Sequence, residues 1–326
     1  MIPVSVVTGF LGSGKTTLIS RVLRDPRFGR TAVIVSEFGE VALDHDLIAS
    51  SDDSVLTLNT GCLCCAVQTD LARTLMTLFQ RRAAGSVAYD RVLIETSGLS
   101  EPAPVLQAIM LDGGVSATHQ LPYVVTLADA IHGETTLREH VQARHQVALA
   151  DRILISKTDL RATSERLVAA LDALNPDCPR MTTMAAAPED LFGAGSFAVP
   201  DGRLNDVSSG RGHAGVESTV ILRERPLPAL VLTMLLQAVV EHCGGRLLRL
   251  KGLVAIEEMP GQPAVVHGVR HVVSPPEFLD RWPSSDERTR IVLITTGVPR
   301  YFAAKLLDAI EEEVRDAALA SRAAFG

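Results

Sequence analysis

Gly9, Gly14, Lys15 and Thr16 stand in the spacing Gly-x4-Gly-Lys-Thr, between an apolar run and a helical pattern. Glycines at such positions let backbone amides turn inward around phosphate oxygens, and a helix N-terminus adds partial positive charge. Lys15 is the group to neutralise the β and γ phosphates, and the Thr16 hydroxyl is a ligand for Mg²⁺. Gly12, Ser13 and Thr17 complete the nucleotide-binding set. The bland alternative is a chance glycine-rich turn, but the strand before it and the helix after it supply the context the motif needs.

Two strand ends further along add to this. RVLIETSGLSEP carries Glu95 at the tip of an apolar run, with Gly98 three positions on. A carboxylate there holds Mg²⁺ directly or through water, and a glycine lets its amide come close to a γ-phosphate. Lys15, Glu95 and Gly98 are therefore the expected catalytic set, against the alternative of an ordinary solvated acid at Glu95. RILISKTDL ends in Ser156-Lys157-Thr158-Asp159, where many GTPases read Asn-Lys-x-Asp. Guanine offers two donors on one edge, and a single carboxylate accepts both. Asp159 is thus the expected guanine reader, with the Lys157 stem along the base. Ser156 in place of Asn loses a brace for that loop, which would relax base selectivity.

Three of the five cysteines, Cys62, Cys64 and Cys65, fall in GCLCC. Positions i and i+2 of an extended loop point the same way, so two thiolates can meet one ion. Thiolates favour Zn²⁺ and other borderline ions over Mg²⁺, and a tetrahedral site needs further ligands. Glu37, Glu40, Asp44, His45 and Asp46 follow the second strand and offer them. A redox cluster and buried small hydrophobes are the competing readings. Coupling follows as an expectation: GTP orders the segment carrying Glu40 and gathers the thiolates, and hydrolysis releases the ion.

These residues need a frame. PVSVVTG, TAVIVSE, SVLTLNT, RVLIETS, YVVTLAD and RILISKT read as strands, apolar almost throughout, as in a parallel sheet buried on both faces. Helical patterns such as KTTLISRVLRD and QTDLARTLMTLFQRRA alternate with them. That alternation predicts an α/β P-loop fold with a doubly wound, mostly parallel sheet over residues 1–187. A Gly/Pro/Ser-rich linker is expected over 188–215, followed by a smaller α+β domain over 216–326 with strands VESTVILR, RLLRLKGLVAI, AVVHGVRHVV and RIVLITTG. The formal net charge of −7, without a basic block, does not favour nucleic acid, and no apolar run reaches membrane-spanning length. MIPVSVVTGFLGSGKTT reads as a first strand and not as an export signal, so a cytoplasmic, reducing compartment is expected.

The motifs GFLGSGKTTL, SEFGEVALD, GCLCC, IETSGLSEP and SKTDL, in this order and spacing, resemble the CobW-like metallochaperone GTPases of the SIMIBI class. The second domain is similar to that family's C-terminal domain. The resemblance implies binding of GTP with Mg²⁺, slow hydrolysis, and capture of a transition metal, Zn²⁺ or Co²⁺, for a client metalloprotein. Carried over by position, Lys15 and Thr16 match the phosphate and Mg²⁺ groups, Cys62, Cys64 and Cys65 the metal motif, and Glu40 an acid implicated in metal binding. Many members read Glu-Asn-Glu-Phe-Gly-Glu where this chain has Val35-Ser36-Glu37-Phe38-Gly39-Glu40, so one carboxylate of the pattern is missing at Val35. His267 and His271 read as structural or surface residues, and His213 falls in the linker. Glu37, Glu40 and Glu95 each remain candidates to orient the hydrolytic water. The competing functions are a P-loop kinase and a GTP-latched assembly regulator with a structural or redox thiol cluster, and monomer and homodimer are both open.

Overall fold

The structure, a computed structural model, describes residues 1–36, 55–58, 66–120, 123–176, 178–192 and 215–325. The chain divides into two compact units, Met1–Gly195 and Ser196–Gly326.

In the first unit, β1 (Val4–Gly9), α1 (Lys15–Leu23), β2 (Thr31–Ser36), β3 (Val55–Leu58), α2 (Ala66–Ala83) and β4 (Arg91–Thr96) come first. They are followed by α3 (Ala103–Leu111), α4 (Gly113–Thr118), β5 (Tyr123–Asp129), α5 (Gly133–Glu139) and α6 (Val141–Ala148). The unit ends with β6 (Arg152–Ser156), α7 (Glu165–Leu174) and β7 (Arg180–Thr182). The strand order is β3-β2-β4-β1-β5-β6-β7, and every pairing among these described strands is parallel. The apolar runs predict this well: every residue of β1 is buried, as are all but the first of β4, β5 and β6. A strand with no polar face must be covered on both sides, which parallel crossovers through helices provide.

Two features of register place the site. First, β1 lies between β4 and β5, with Val6 opposite Ile94 on one side and Val124 on the other. The connections leave in opposite directions there, which opens a crevice at the carboxyl ends of the strands. Second, Ser36 at the end of β2 is level with Leu58 of β3 and with Thr96 of β4. Val35, where the family pattern has a carboxylate, is 5% exposed and packed in the sheet core with Val33 and Leu93. It is level with Glu95 of β4.

Residues 188–192, counted with the linker on composition, pack on the first unit. Pro188–Leu191 form a 3-10 turn on the first unit, and Leu191 is 0% exposed in the same core. Ser5 Oγ donates to the Leu191 carbonyl, and Arg152 pairs with Asp190. The Arg91 guanidinium lies 4.3 Å from the Phe28 ring centre and 5.4 Å from that of Phe192. Because Arg91 and Arg152 begin their strands, this exit strip runs along the amino ends of the sheet, opposite the crevice. A Gly/Pro-rich stretch reads as loop, but its apolar pair Leu191-Phe192 had a core to bury in.

The second unit is an antiparallel sheet with two long helices. Its strands are β8 (Val216–Arg223), β9 (Leu247–Val254), β10 (Ala264–Val269), β11 (Val272–Val273), β12 (Glu277–Phe278) and β13 (Thr289–Thr296). They are ordered β11-β10-β9-β13-β8, with β12 on β10. The helices α8 (Ala229–Cys243) and α9 (Tyr301–Phe325) pack Leu235, Val239, Leu307 and Ile310 onto Leu250, Val266 and Ile291. The expected single strand AVVHGVRHVV is instead a hairpin: Val269 pairs with Val272, and Arg270 takes the turn at φ 53°. No glycine or asparagine marks that turn, so alternation alone ran through it.

Candidate functional site

The loop after β1 has the conformation its glycines permit. Gly14, the N-cap of α1, sits at φ 92°, a left-handed region that side chains resist. A Cβ on Gly9 would stand 2.6 Å from the Leu127 carbonyl oxygen and 2.8 Å from Ser13 Oγ, so only glycine passes between the loop and β5. Lys15 is 8% exposed, and its Nζ donates to the carbonyls of Gly9 at 2.8 Å and Phe10 at 3.3 Å. Burial pushes the ammonium below its ordinary value, and the negative charge of Glu95 pushes it partly back. The lysine is thus a cation held among loop carbonyls that better anionic oxygens could replace.

Thr16 and Glu95, both expected at Mg²⁺, lie together: Thr16 Oγ1 donates to Glu95 Oε1 at 2.8 Å. Glu95 is 6% exposed at the end of β4, and next to it Thr96 Oγ1 donates to Thr8 Oγ1 at 2.8 Å. Ser13 Oγ is buried and has no hydrogen-bond partner among the described residues. A glycine-lined cradle, an orphaned loop hydroxyl, a caged lysine and a hydroxyl–carboxylate pair fit a Mg²⁺–triphosphate. Gly12 stands at φ 69° in the same loop, and Thr17 is exposed in the first turn of α1.

Gly98 also has a packing reason to be glycine. A Cβ there would lie 2.7 Å from the Leu11 amide nitrogen and 2.8 Å from Leu11 Cα. Its missing side chain is what lets the Ser97–Ser100 turn rest on the phosphate loop itself.

The base-reading segment follows β6. Lys157 has φ 58°, and its carbonyl accepts from the amides of Leu160 and Arg161, both at 3.1 Å. Ser156 is buried, with its Cβ 3.9 Å from where a Cβ on Gly14 would be, so this segment abuts the phosphate loop. Asp159, the expected guanine reader, is exposed. Lys157 Nζ is held by Asp129 Oδ2 at 2.6 Å, and Asp129 Oδ1 accepts from the amides of Ile131 at 2.7 Å and His132 at 3.3 Å. Burial pushes the Asp129 carboxyl up, but the Lys157 hydrogen bond and the two amides outweigh it and hold the group below the usual carboxylate range.

Asp129 was not singled out from sequence, although, like Glu95, it lies near the carboxyl end of its strand. Also missed were the stacking of Phe10 on His140, ring centres 4.4 Å apart, and the side chain of Gln146. A lone glutamine in a helix carries no signal of its own.

Glu37, Glu40, Asp44, His45, Asp46, Cys62, Cys64, Cys65 and His213 lie outside the described residues. Among the described residues no three His, Cys, Asp or Glu side chains gather as a metal site. The other two cysteines, Cys178 and Cys243, are buried, and burial raises the Cys243 thiol. No described helix is long and apolar enough to cross a membrane.

Residues 3–182 match the nucleotide-binding domain described as CobW/HypB/UreG, and residues 216–311 match the cobalamin synthesis protein cobW C-terminal domain. The zinc chaperone YjiA of Escherichia coli is 29% identical over 306 residues, which cover 91% of this chain and 94% of that protein. The zinc chaperone CobW of a Sinorhizobium species is 29% identical over 339 residues, covering 90% and 92%. The zinc-regulated GTPase metalloprotein activator 1 of Saccharomyces cerevisiae is 27% identical over 348 residues, covering 90% and 80%. The crystal structure of Zn(II)-bound YjiA GTPase from E. coli superposes with a TM-score of 0.75 at 24% identity, over 95% of this chain and 98% of that one, and so shares the fold.

Proposed function

The chain belongs to the CobW/HypB/UreG family of nucleotide-binding proteins, and on that premise we propose that it is a GTP-hydrolysing metallochaperone that captures Zn²⁺ and hands it to a client metalloprotein. Three relatives that run the length of the chain carry the names of zinc chaperones or of a zinc-regulated GTPase, which favours Zn²⁺ over Co²⁺.

The observation that carries the reading is the register of three strand ends. Glu95, bonded to Thr16, is followed by Thr96; Thr96 is level with Ser36, and Ser36 with Leu58. One residue beyond Ser36 the Glu37–Glu40 segment begins, and four beyond Leu58 comes Cys62. Neighbouring parallel strands lie about 4.8 Å apart. The described strand ends that precede both metal-binding candidates, Ser36 and Leu58, are therefore level with Thr96 beside Glu95, which supports the reading. Cys62, Cys64, Cys65 and Glu40 are the proposed Zn²⁺ ligands, and reducing surroundings keep the thiols available.

In the reaction, the amides of the Gly9–Thr16 loop and the Lys15 ammonium receive the phosphates, and Asp159 accepts from the guanine edge while Lys157 lies along the base. Thr16 and Glu95 are the groups to hold Mg²⁺, which when bound draws charge from the phosphate oxygens. The Gly98 amide receives the γ-phosphate. Water adds to the γ-phosphorus and the bond to GDP breaks; loss of the phosphate removes the contact that held the Gly98 turn, and with it the order that kept the thiolates together.

The test is a competition titration of Zn²⁺ and of Co²⁺ against a chromophoric chelator, with the reduced protein alone, with Mg-GDP, and with Mg²⁺ plus a non-hydrolysable GTP analogue. Zn²⁺ affinity should rise at least about tenfold with the analogue, a coupling of roughly 1.4 kcal/mol, and Cys64→Ala should abolish the rise. Equal affinity in all three states would leave the thiols as a structural or redox cluster.

A further inference from the structure

Gln146 is the one buried glutamine of α6, 0% exposed, and its amide reaches across to the turn that carries Gly98. Nε2 donates to the carbonyls of Gly98 at 3.1 Å and Ser100 at 3.0 Å. The turn is closed by the Ser100 amide on the Ser97 carbonyl at 3.0 Å, and its other side lies against Leu11 of the phosphate loop. Both donor hydrogens of the amide are thus spent on two carbonyls of one turn.

Packing does not account for this residue. Gln146 Oε1 is buried and has no hydrogen-bond partner among the described residues. A leucine or methionine would fill the space without stranding an acceptor, so the position is kept polar for its donors. The arm is also rigid at its base: Thr126 Oγ1 of β5 donates to the Gln146 backbone carbonyl at 2.8 Å. Beside it is a cavity of about 140 Å³, lined by Gln146 and by Ser13 of the phosphate loop. That space gives the side chain a second place to go when the turn moves.

We propose that Gln146 is a positioning residue that holds the Gly98–Ser100 turn in its γ-phosphate-receiving orientation and so sets how well the protein tells GTP from GDP. The inference rests on the GTPase reading above. The amide fixes the Gly98–Leu99 and Ser100–Glu101 peptide planes, and by holding the Gly98 carbonyl it limits the rotation at Gly98 that would re-aim the Gly98 amide on the preceding peptide. The turn is then a two-state element gripped from α6, and the γ-phosphate competes with release into the cavity.

The experiment uses the full chain and its Gln146→Met variant, which keeps shape and loses both donors. GDP and a non-hydrolysable GTP analogue are titrated with Mg²⁺, and GTP turnover is followed. Wild type is measured first: if it neither prefers the analogue nor turns over GTP, the GTPase reading itself fails. Otherwise the variant is expected to bind GDP within about twofold of wild type, to bind the analogue about tenfold more weakly, and to lose about tenfold in kcat. Equal weakening of both nucleotides in a variant that melts near wild type would show a merely structural role and overturn the proposal, as would an unchanged ratio. If the methionine variant does not fold, Gln146→Asn, one methylene too short to span both carbonyls, must show the same selective loss of the analogue.

Discussion

Glu95 and Asp129 lie near the carboxyl ends of the strands on either side of β1, and both are close to buried, at 6% and 9% exposure. Their partners separate them. Glu95 accepts from the Thr16 hydroxyl and acts on the Lys15 ammonium through its charge, whereas Asp129 accepts directly from the Lys157 ammonium and two backbone amides. A carboxylate wrapped by an ammonium and amides is a strut. On the reading proposed above, Glu95 serves as metal ligand and Asp129 as the brace of the loop that carries Asp159.

Exchanging each acid for its amide tests that division most sharply. Glu95→Gln keeps an acceptor for Thr16 and loses the charge, so GTP turnover should fall about 100- to 1000-fold, with a raised Mg²⁺ requirement and little change in the urea midpoint. Asp129→Asn turning over as slowly would make the two acids equivalent and break the comparison. Next in size is Asp159→Ala on the loop that Asp129 braces. It should cost GTP about 100-fold in affinity, measured by calorimetry, and leave ATP binding where it was. Asp129→Asn should reproduce part of that lost selectivity while the Mg²⁺ requirement holds, and should lower unfolding stability by about 1–2 kcal/mol in urea, since the pair is partly solvated.

The smallest effect is in acid. The folded Asp129 carboxyl lies below its unfolded value, so its contribution is present above that value and fades as pH falls through the lower folded one. The gap in urea midpoint between wild type and Asp129→Asn should therefore narrow as pH drops below about 4. A gap that stays constant down to the acid limit would mean that the lysine contact does not hold the charge.

The sequence and the structure agree where chemistry is local. Gly9 to Thr16 had a required backbone shape, and each of the six apolar runs forms a strand. Thr16 and Glu95 were legible as partners because each belongs to a motif with a defined place in the fold. What stayed hidden depends on distant pairs. Asp129 meets Lys157 across 28 positions, and Gln146 meets Gly98 across 48, with no periodicity to announce either. Gly98 was read for the approach of its amide to a γ-phosphate; its close packing on Leu11 was not legible, because Leu11 lies on a loop far off in sequence. The hairpin at Arg270 was missed because its turn residue is one that turns of that hand seldom use.

The strip from Pro188 to Phe192, seated under the amino ends of β1, β4 and β6, bears on how this chain could be cut and recombined. A fragment ending at residue 187 would open a hole where Leu191 sits and uncover the Arg91–Phe28 stack, so it would express poorly however intact its nucleotide motifs. A fragment that runs past Phe192 keeps that plug. Grafting another protein's second unit onto this one, or moving this unit elsewhere, has its safe junction in the stretch after Phe192.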